Sequence, residues 1–167
     1  MNTALHPQPL PIAWLQCSTL ETSLATMGGD LPDKIPALVR LLENPASPVA
    51  LPGSIALHGH DCLHVLLGRG FSAEDEAFVI GFSMGTALNC KAWHVAIFKF
   101  AAFFLYPSVY RLNRAQLEVF DRGFAYARTL AHRNLHAFDF RPFEKMPLDS
   151  LRARLGIDAD YCSPARD

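Results

Sequence analysis

The chain has 167 residues, half of them hydrophobic and only 19% charged, with a formal net charge of -1. That length supports one continuous core without disulfides or a structural metal to hold it together, and the near-neutral charge without a Lys and Arg stripe argues against nucleic acid as a partner. So apolar a chain, with no clear membrane span, implies apolar surface that meets something other than water.

The first twelve residues set Pro7, Pro9 and Pro11 at alternate positions, which favours an extended arm over residues 1–12. They hold neither the basic start of a secretory signal nor the Arg-rich pattern of a mitochondrial presequence, so a cytoplasmic location is expected. Cys17, Cys62, Cys90 and Cys162 lack paired spacing and read as free thiols. Asp33 can cap a short helix whose Ile35, Leu38, Val39 and Leu42 share one face, closed by Pro45 and Pro48.

From Ser54 to Leu67 only Gly59 opposes a helix, and "GRG" at 68 to 70 stops it. Ser72 followed by Asp75 is close to a capping box, and Glu74, Asp75 and Glu76 suit the positive end of a helix expected to reach about Asn89. A further helix is expected from about Lys91 to Tyr106. Its surroundings, "AWHVAIFKFAAFFLYPSVY", are the most apolar in the chain, but Lys99 interrupts them and Pro107 ends them, short of the ~20 apolar residues a spanning helix needs. Asn113 with Gln116 caps the next helix, over 113–134, whose Leu117, Phe120, Phe124 and Ala127 form a core stripe. "PLDSLRARLG" makes a final short helix ending at Gly156. With no alternating strand pattern and no repeat, residues 1–167 read as a single all-α domain, an irregular bundle of five or six helices.

The segment "LHGHDCLHVLLG" concentrates ionisable side chains in an apolar helix. At about 100° per residue, His60 and His64 lie about 40° apart and Asp61 falls within an arc of about 100° with them. Two imidazoles one turn apart beside a carboxylate can form a metal platform. Glu76 shares a stripe with Ile80, Met84 and Leu88 on the following helix, so it is expected to face inward, where an unpaired carboxylate is costly. A metal held by His60, Asp61, His64 and Glu76 would compensate all four burials. Spacing alone leaves a second reading open, in which Glu76 is a first-turn acid favoured by the helix dipole and the histidines are hydrogen-bonded core residues. His58 lies about 200° from His60 and reads as a surface or supporting group, Cys62 as packing, and His94, His132 and His136 as structural.

The pattern His-Asp, two residues, His, eleven residues, Glu resembles the signature of the coenzyme Q (ubiquinone) biosynthesis protein four family. "FDFRPFEKMPLDSLRARLGI" at 138 to 157 is similar to that family's closing segment. Carried over, the resemblance implies a divalent-metal site at His60, Asp61, His64 and Glu76, usually taken as zinc, though iron or manganese suit such ligands. It implies ubiquinone or related prenylquinone biosynthesis, in which the ring of a polyprenylated benzoate loses its carboxylate and gains a hydroxyl. The same four residues would then be catalytic. Asp75 departs from the pattern, standing where Gly is expected before the glutamate.

The implied partners are a prenylated quinone precursor or isoprenoid lipid, other quinone-biosynthesis proteins, and the inner membrane face as a peripheral contact. Self-association into a homo-oligomer is compatible with these. A polyprenyl tail needs an apolar groove, for which Phe98, Ala101, Ala102 and Leu105 are the expected wall, although the same residues could be ordinary core. An exposed apolar face there would predict membrane association. Two rival classes stand beside the enzyme: a non-catalytic lipid-binding or scaffold protein whose metal ties two helices together, and a metal-dependent hydrolase suggested by the likeness of HDxxH to HExxH and His-Asp sites.

Overall fold

Helix signals dominate the chain, and the computed structural model resolves them into six α-helices with no sheet among the described residues, which are 19–27 and 44–158. The arm expected over residues 1–12, the helix expected at Asp33, and the thiols Cys17 and Cys162 lie outside them. The elements are α1 (Leu20–Met27), α2 (Leu57–Leu67), α3 (Ala73–Thr86), α4 (Ala92–Phe100), α5 (Arg114–Thr129) and α6 (Leu148–Leu155). The all-α expectation therefore holds.

Local chemistry accounts for most boundaries. α2 ends in a left-handed glycine, Gly68 (φ 63°), where the N–H groups of Gly68 and Arg69 donate to the carbonyls of Val65 and His64. These bonds satisfy carbonyls that a helix end leaves without partners. Ser72 Oγ accepts from the Asp75 N–H to open α3. Asn113 and Gln116 exchange side-chain and backbone bonds at 3.0 and 2.9 Å, the reciprocal cap read from the sequence.

Several ends differ from expectation. α2 starts at Leu57 instead of Ser54, after an extended Ala56. α3 stops at Thr86, because Ala87 is extended and Leu88 N–H turns to Asn134 Oδ1 (3.1 Å). Leu88, expected on the inward stripe, is therefore outside the helix and 63% exposed. α5 ends at Thr129, ahead of the left-handed Asn134. α4 passes into a π-helical turn, Ala101–Leu105, closed by a bond from Tyr106 N–H to the Ala101 carbonyl. α1 was not foreseen; Thr19 caps it, and Glu21 N–H donates to the Glu144 carbonyl near the other end of the chain.

The core is one hydrophobic cluster drawn from every helix. Its tightest seam joins α3 to α5. There the helices touch backbone to backbone: a Cβ on Gly81 would collide with the Phe120 carbonyl, and one on Gly123 with the Phe78 carbonyl. Phe82, Phe98 and Phe120 fill the space around this contact and are fully buried. The seam holds the far part of α3, so its first turn is aimed at α2.

Gly81→Ala and Gly123→Ala must each push the two helices apart. Each is expected to cost about 1–3 kcal/mol of overpacking, a fall of roughly 2–12 °C in Tm for a chain of this size. Calorimetry reads the shift; an unchanged Tm in both variants would mean that α3 and α5 do not meet this closely.

Candidate metal centre

His60 and His64 lie one turn apart on α2, and their ring centroids are 4.6 Å apart. Glu76 reaches them from the first turn of α3, one carboxylate oxygen per imidazole: Oε2 is 3.5 Å from His60 Nε2 and Oε1 is 3.4 Å from His64 Nε2. One ligand atom from each of the three lies within 4.8 Å of the others. This group could hold a metal ion.

The second nitrogen of His64 explains how the ring is aimed. His64 is completely buried, and its Nδ1 faces the Arg69 carbonyl at 3.2 Å. A carbonyl only accepts, so Nδ1 carries the hydrogen and the neutral ring keeps its lone pair on Nε2. That Nε2 is buried and has no aligned hydrogen bond. A lone pair facing a carboxylate oxygen is repulsive, so the space between them suits a cation or a proton.

The electrostatics agree. Burial works against charge on His64, but the carboxylate of Glu76 facing its Nε2, with the Arg69 carbonyl and Asp61, outweighs it and raises its pKa. Burial likewise disfavours ionised Glu76, yet His64 and then His60 carry its pKa below the usual carboxylate value. Burial pushes His60 down to about 4 despite Glu76, so this ring is neutral and its nitrogen free to ligate. Two imidazole nitrogens and a carboxylate oxygen form a donor set that fits zinc, and equally iron or manganese.

Of the four residues singled out in the sequence, three converge. Asp61 is half-buried beside them, its pKa raised by burial and by Glu76 and lowered by His64 and His58, but its carboxylate is not part of the converging group. A direction of about 100° from His60 carries it off the line of the two imidazoles. His58 pairs instead with Glu144, Nε2 to Oε1 at 3.0 Å, and contacts Cys62 Sγ at 3.7 Å. Burial, with Glu144 and Asp61, pushes the Cys62 thiol up to about 12, which keeps it inert and in a packing role. His94 accepts the Lys91 N–H at 2.9 Å and so caps α4.

Arg152 was missed. Fully enclosed on α6, it donates from Nε to the Leu66 carbonyl (2.9 Å) and from Nη2 to the Val65 carbonyl (3.0 Å), in the turn that carries His64. The signal was present, since Arg152 shares a helical face with Leu148, Leu151 and Leu155.

The expected groove wall divides. Phe98, Ala101 and Ala102 are buried in the core, and Leu105 is exposed. The face open to solvent carries Trp93, Ile97 and Phe100 on α4, with Phe104 in the π-helical turn, instead. No helix among the described residues is long and apolar enough to cross a membrane. Comparison with protein-family models, curated proteins and solved structures found no match to this chain.

Elemental analysis is expected to find one equivalent of a divalent metal ion per chain. His64→Ala and Glu76→Ala should each weaken binding by more than the roughly 10–100-fold that supporting residues contribute, and Asp61→Asn by no more than that range. Metal held equally well by the His64 and Glu76 variants would rule out this centre.

Proposed function

We propose that the chain is a metal-dependent protein of ubiquinone or related prenylquinone biosynthesis, acting on the ring of a polyprenylated benzoate. The observation that carries this reading is the buried His64 Nε2, aimed with His60 at Glu76 and lacking a hydrogen-bond partner. The signature and closing segment described above supply the substrate class. Three protein ligands favour a reactive centre over a closed structural one, because a fourth position stays open to water or substrate.

A bound divalent ion would supply Lewis acidity, orienting the benzoate carboxylate and stabilising charge on the ring oxygens as carbon dioxide leaves. Zinc is the ion proposed, with iron or manganese compatible with the donors. His60 presents a neutral nitrogen, His64 a nitrogen at which an ion would replace the proton, and Glu76 an anionic oxygen, while Phe71 stands half-open 5.2 Å from the His64 ring, where it would border an incoming aromatic head group. Exchanging carboxylate for hydroxyl is a two-electron oxidation of the ring. It balances with dioxygen as oxidant and water as oxygen source, giving carbon dioxide and hydrogen peroxide.

A second reading, a lipid-holding or scaffold protein without catalysis, draws support from α4. Trp93, Ile97, Phe100 and Phe104 recur at helical spacing on one exposed face, with exposed Leu105 and Val109 beyond them. Such a face suits the surface of a bilayer, and the proposed location is cytoplasmic, peripheral on the inner membrane face. A prenylated precursor could be taken from there, and other quinone-biosynthesis proteins or a second copy of the chain could gather on the same side.

Zinc-loaded protein incubated with a polyprenyl hydroxybenzoate under air is expected to yield decarboxylated, hydroxylated product by mass spectrometry, and His64→Ala to yield none. Product from His64→Ala at the wild-type rate would overturn catalysis by this centre. Separately, the protein should sediment with vesicles of phosphatidylcholine and phosphatidylglycerol, and Phe100→Ser combined with Phe104→Ser should release it. Sedimentation unaltered by the double substitution would place membrane contact elsewhere.

A further inference from the structure

We infer that Arg69 and Asp75 are positioning residues that hold the imidazole of His64 and the carboxylate of Glu76 in register. This inference rests on reading His60, His64 and Glu76 as a metal centre. Neither residue belongs to the ligand group.

Residue 69 is fixed to residue 64 twice. The Arg69 N–H donates to the His64 carbonyl at 2.9 Å, and the Arg69 carbonyl receives the His64 Nδ1 hydrogen at 3.2 Å. The ring of His64 therefore points where the loop after Gly68 allows. That loop is in turn held from α3. The Arg69 guanidinium lies 4.0 Å from the centroid of the Phe78 ring, and its Nη1 is 3.7 Å from Asp75 Oδ1. Asp75 is itself anchored: Ser72 Oγ donates to its Oδ2 at 2.8 Å and accepts its N–H at 3.1 Å.

Asp75 immediately precedes Glu76. The contacts thus close a circuit from His64 through the Arg69 carbonyl, the Arg69 side chain and Asp75 to Glu76, joining the two helices that supply the ligands. Both charged side chains are largely shielded, Arg69 at 13% and Asp75 at 20% exposure, so this pair is screened less than an ordinary surface pair. Outer contacts that fix the tautomer and aim of a ligating histidine are commonly worth 10–100-fold in metal affinity. With the guanidinium released, the carbonyl of residue 69 is free to turn away and the lone pair of His64 is no longer confined to Nε2.

Two measurements on the full chain test the circuit. Zn2+ affinity, read by competition with a chromophoric chelator, should fall about 10–100-fold in Arg69→Met and by a smaller factor in Asp75→Asn, which keeps the side-chain shape. Asn134→Ala, which removes the bond to the Leu88 N–H beyond the opposite end of α3 and lowers Tm, should leave affinity unchanged and so separates positioning from loss of stability. Nitrogen-15 spectra of the metal-free protein at alkaline pH should show His64 as the Nδ1–H tautomer in the wild type and a mixture in Arg69→Met. Unchanged zinc affinity in both variants overturns the inference and leaves the metal centre standing. A wild type that binds none of Zn2+, Fe2+ or Mn2+ refutes the metal reading, and the tautomer then decides the circuit: a shift in Arg69→Met sustains it, and no shift overturns it.

Discussion

A fully buried imidazole is the constraint around which this structure is arranged. His64 is shut off from bulk solvent, so each of its two nitrogens needs a partner inside the fold. Nδ1 is answered by the Arg69 carbonyl, which requires the chain to double back within five residues, and the left-handed Gly68 makes that reversal available. Nε2 is answered by Glu76, which requires the next helix to begin almost at once. Ser72 starts it there. The short connection between α2 and α3 is thus the geometry that a buried histidine of this kind needs.

The remaining elements hold that geometry in place. α5 clamps α3 through glycine contacts that leave no room to slide, and α6 clamps α2 through Arg152. A guanidinium enclosed at the last turn of a helix meets carbonyls that carry the negative end of the dipole, and its planar fork addresses two of them together. This gives the closing segment, whose Arg152 is distant from the histidines in sequence, a physical reason to pack against their helix. α1 adds to the same region, packing on α2 and bonding through Glu21 to the Glu144 carbonyl.

How much of this was legible varied with the kind of signal. The i and i+4 histidines were readable because helix geometry fixes their relation without tertiary information. Glu76 was placed correctly, though part of the stripe used for it, Leu88, lies outside the helix. Asp61 shows the limit of angular reasoning, which supplies a direction and not a reach. α4 was harder still: a helix apolar all round offers no polar face to orient it, so Phe98, Ala101 and Ala102 could not be told from Trp93, Ile97 and Phe100, and the π-helical turn then shifts the register. α1 and the circuit through Arg69 and Asp75 depend on contacts between separate segments, which local pattern does not carry. Asp75 occupies an ordinary first-turn position in α3, so nothing in the backbone there demands the glycine of the family pattern.

The metal-free centre is stabilised by the same charges that would receive an ion. His64 has its pKa raised on folding, so its contribution is full below the unfolded value and is lost as pH rises through the folded one. Glu76 has its pKa lowered, so its contribution is present above the unfolded value and is lost as pH falls through the folded one. The pair therefore supports the fold between the lowered carboxylate value and the raised imidazole value, with a proton between the two side chains. A divalent cation at that point would do the work of the proton and would also engage His60, which burial keeps neutral. The third donor distinguishes the two occupants: a proton is held between His64 and Glu76, with His60 acting on the carboxylate only at a distance, whereas a metal ion would take His60 as a direct ligand.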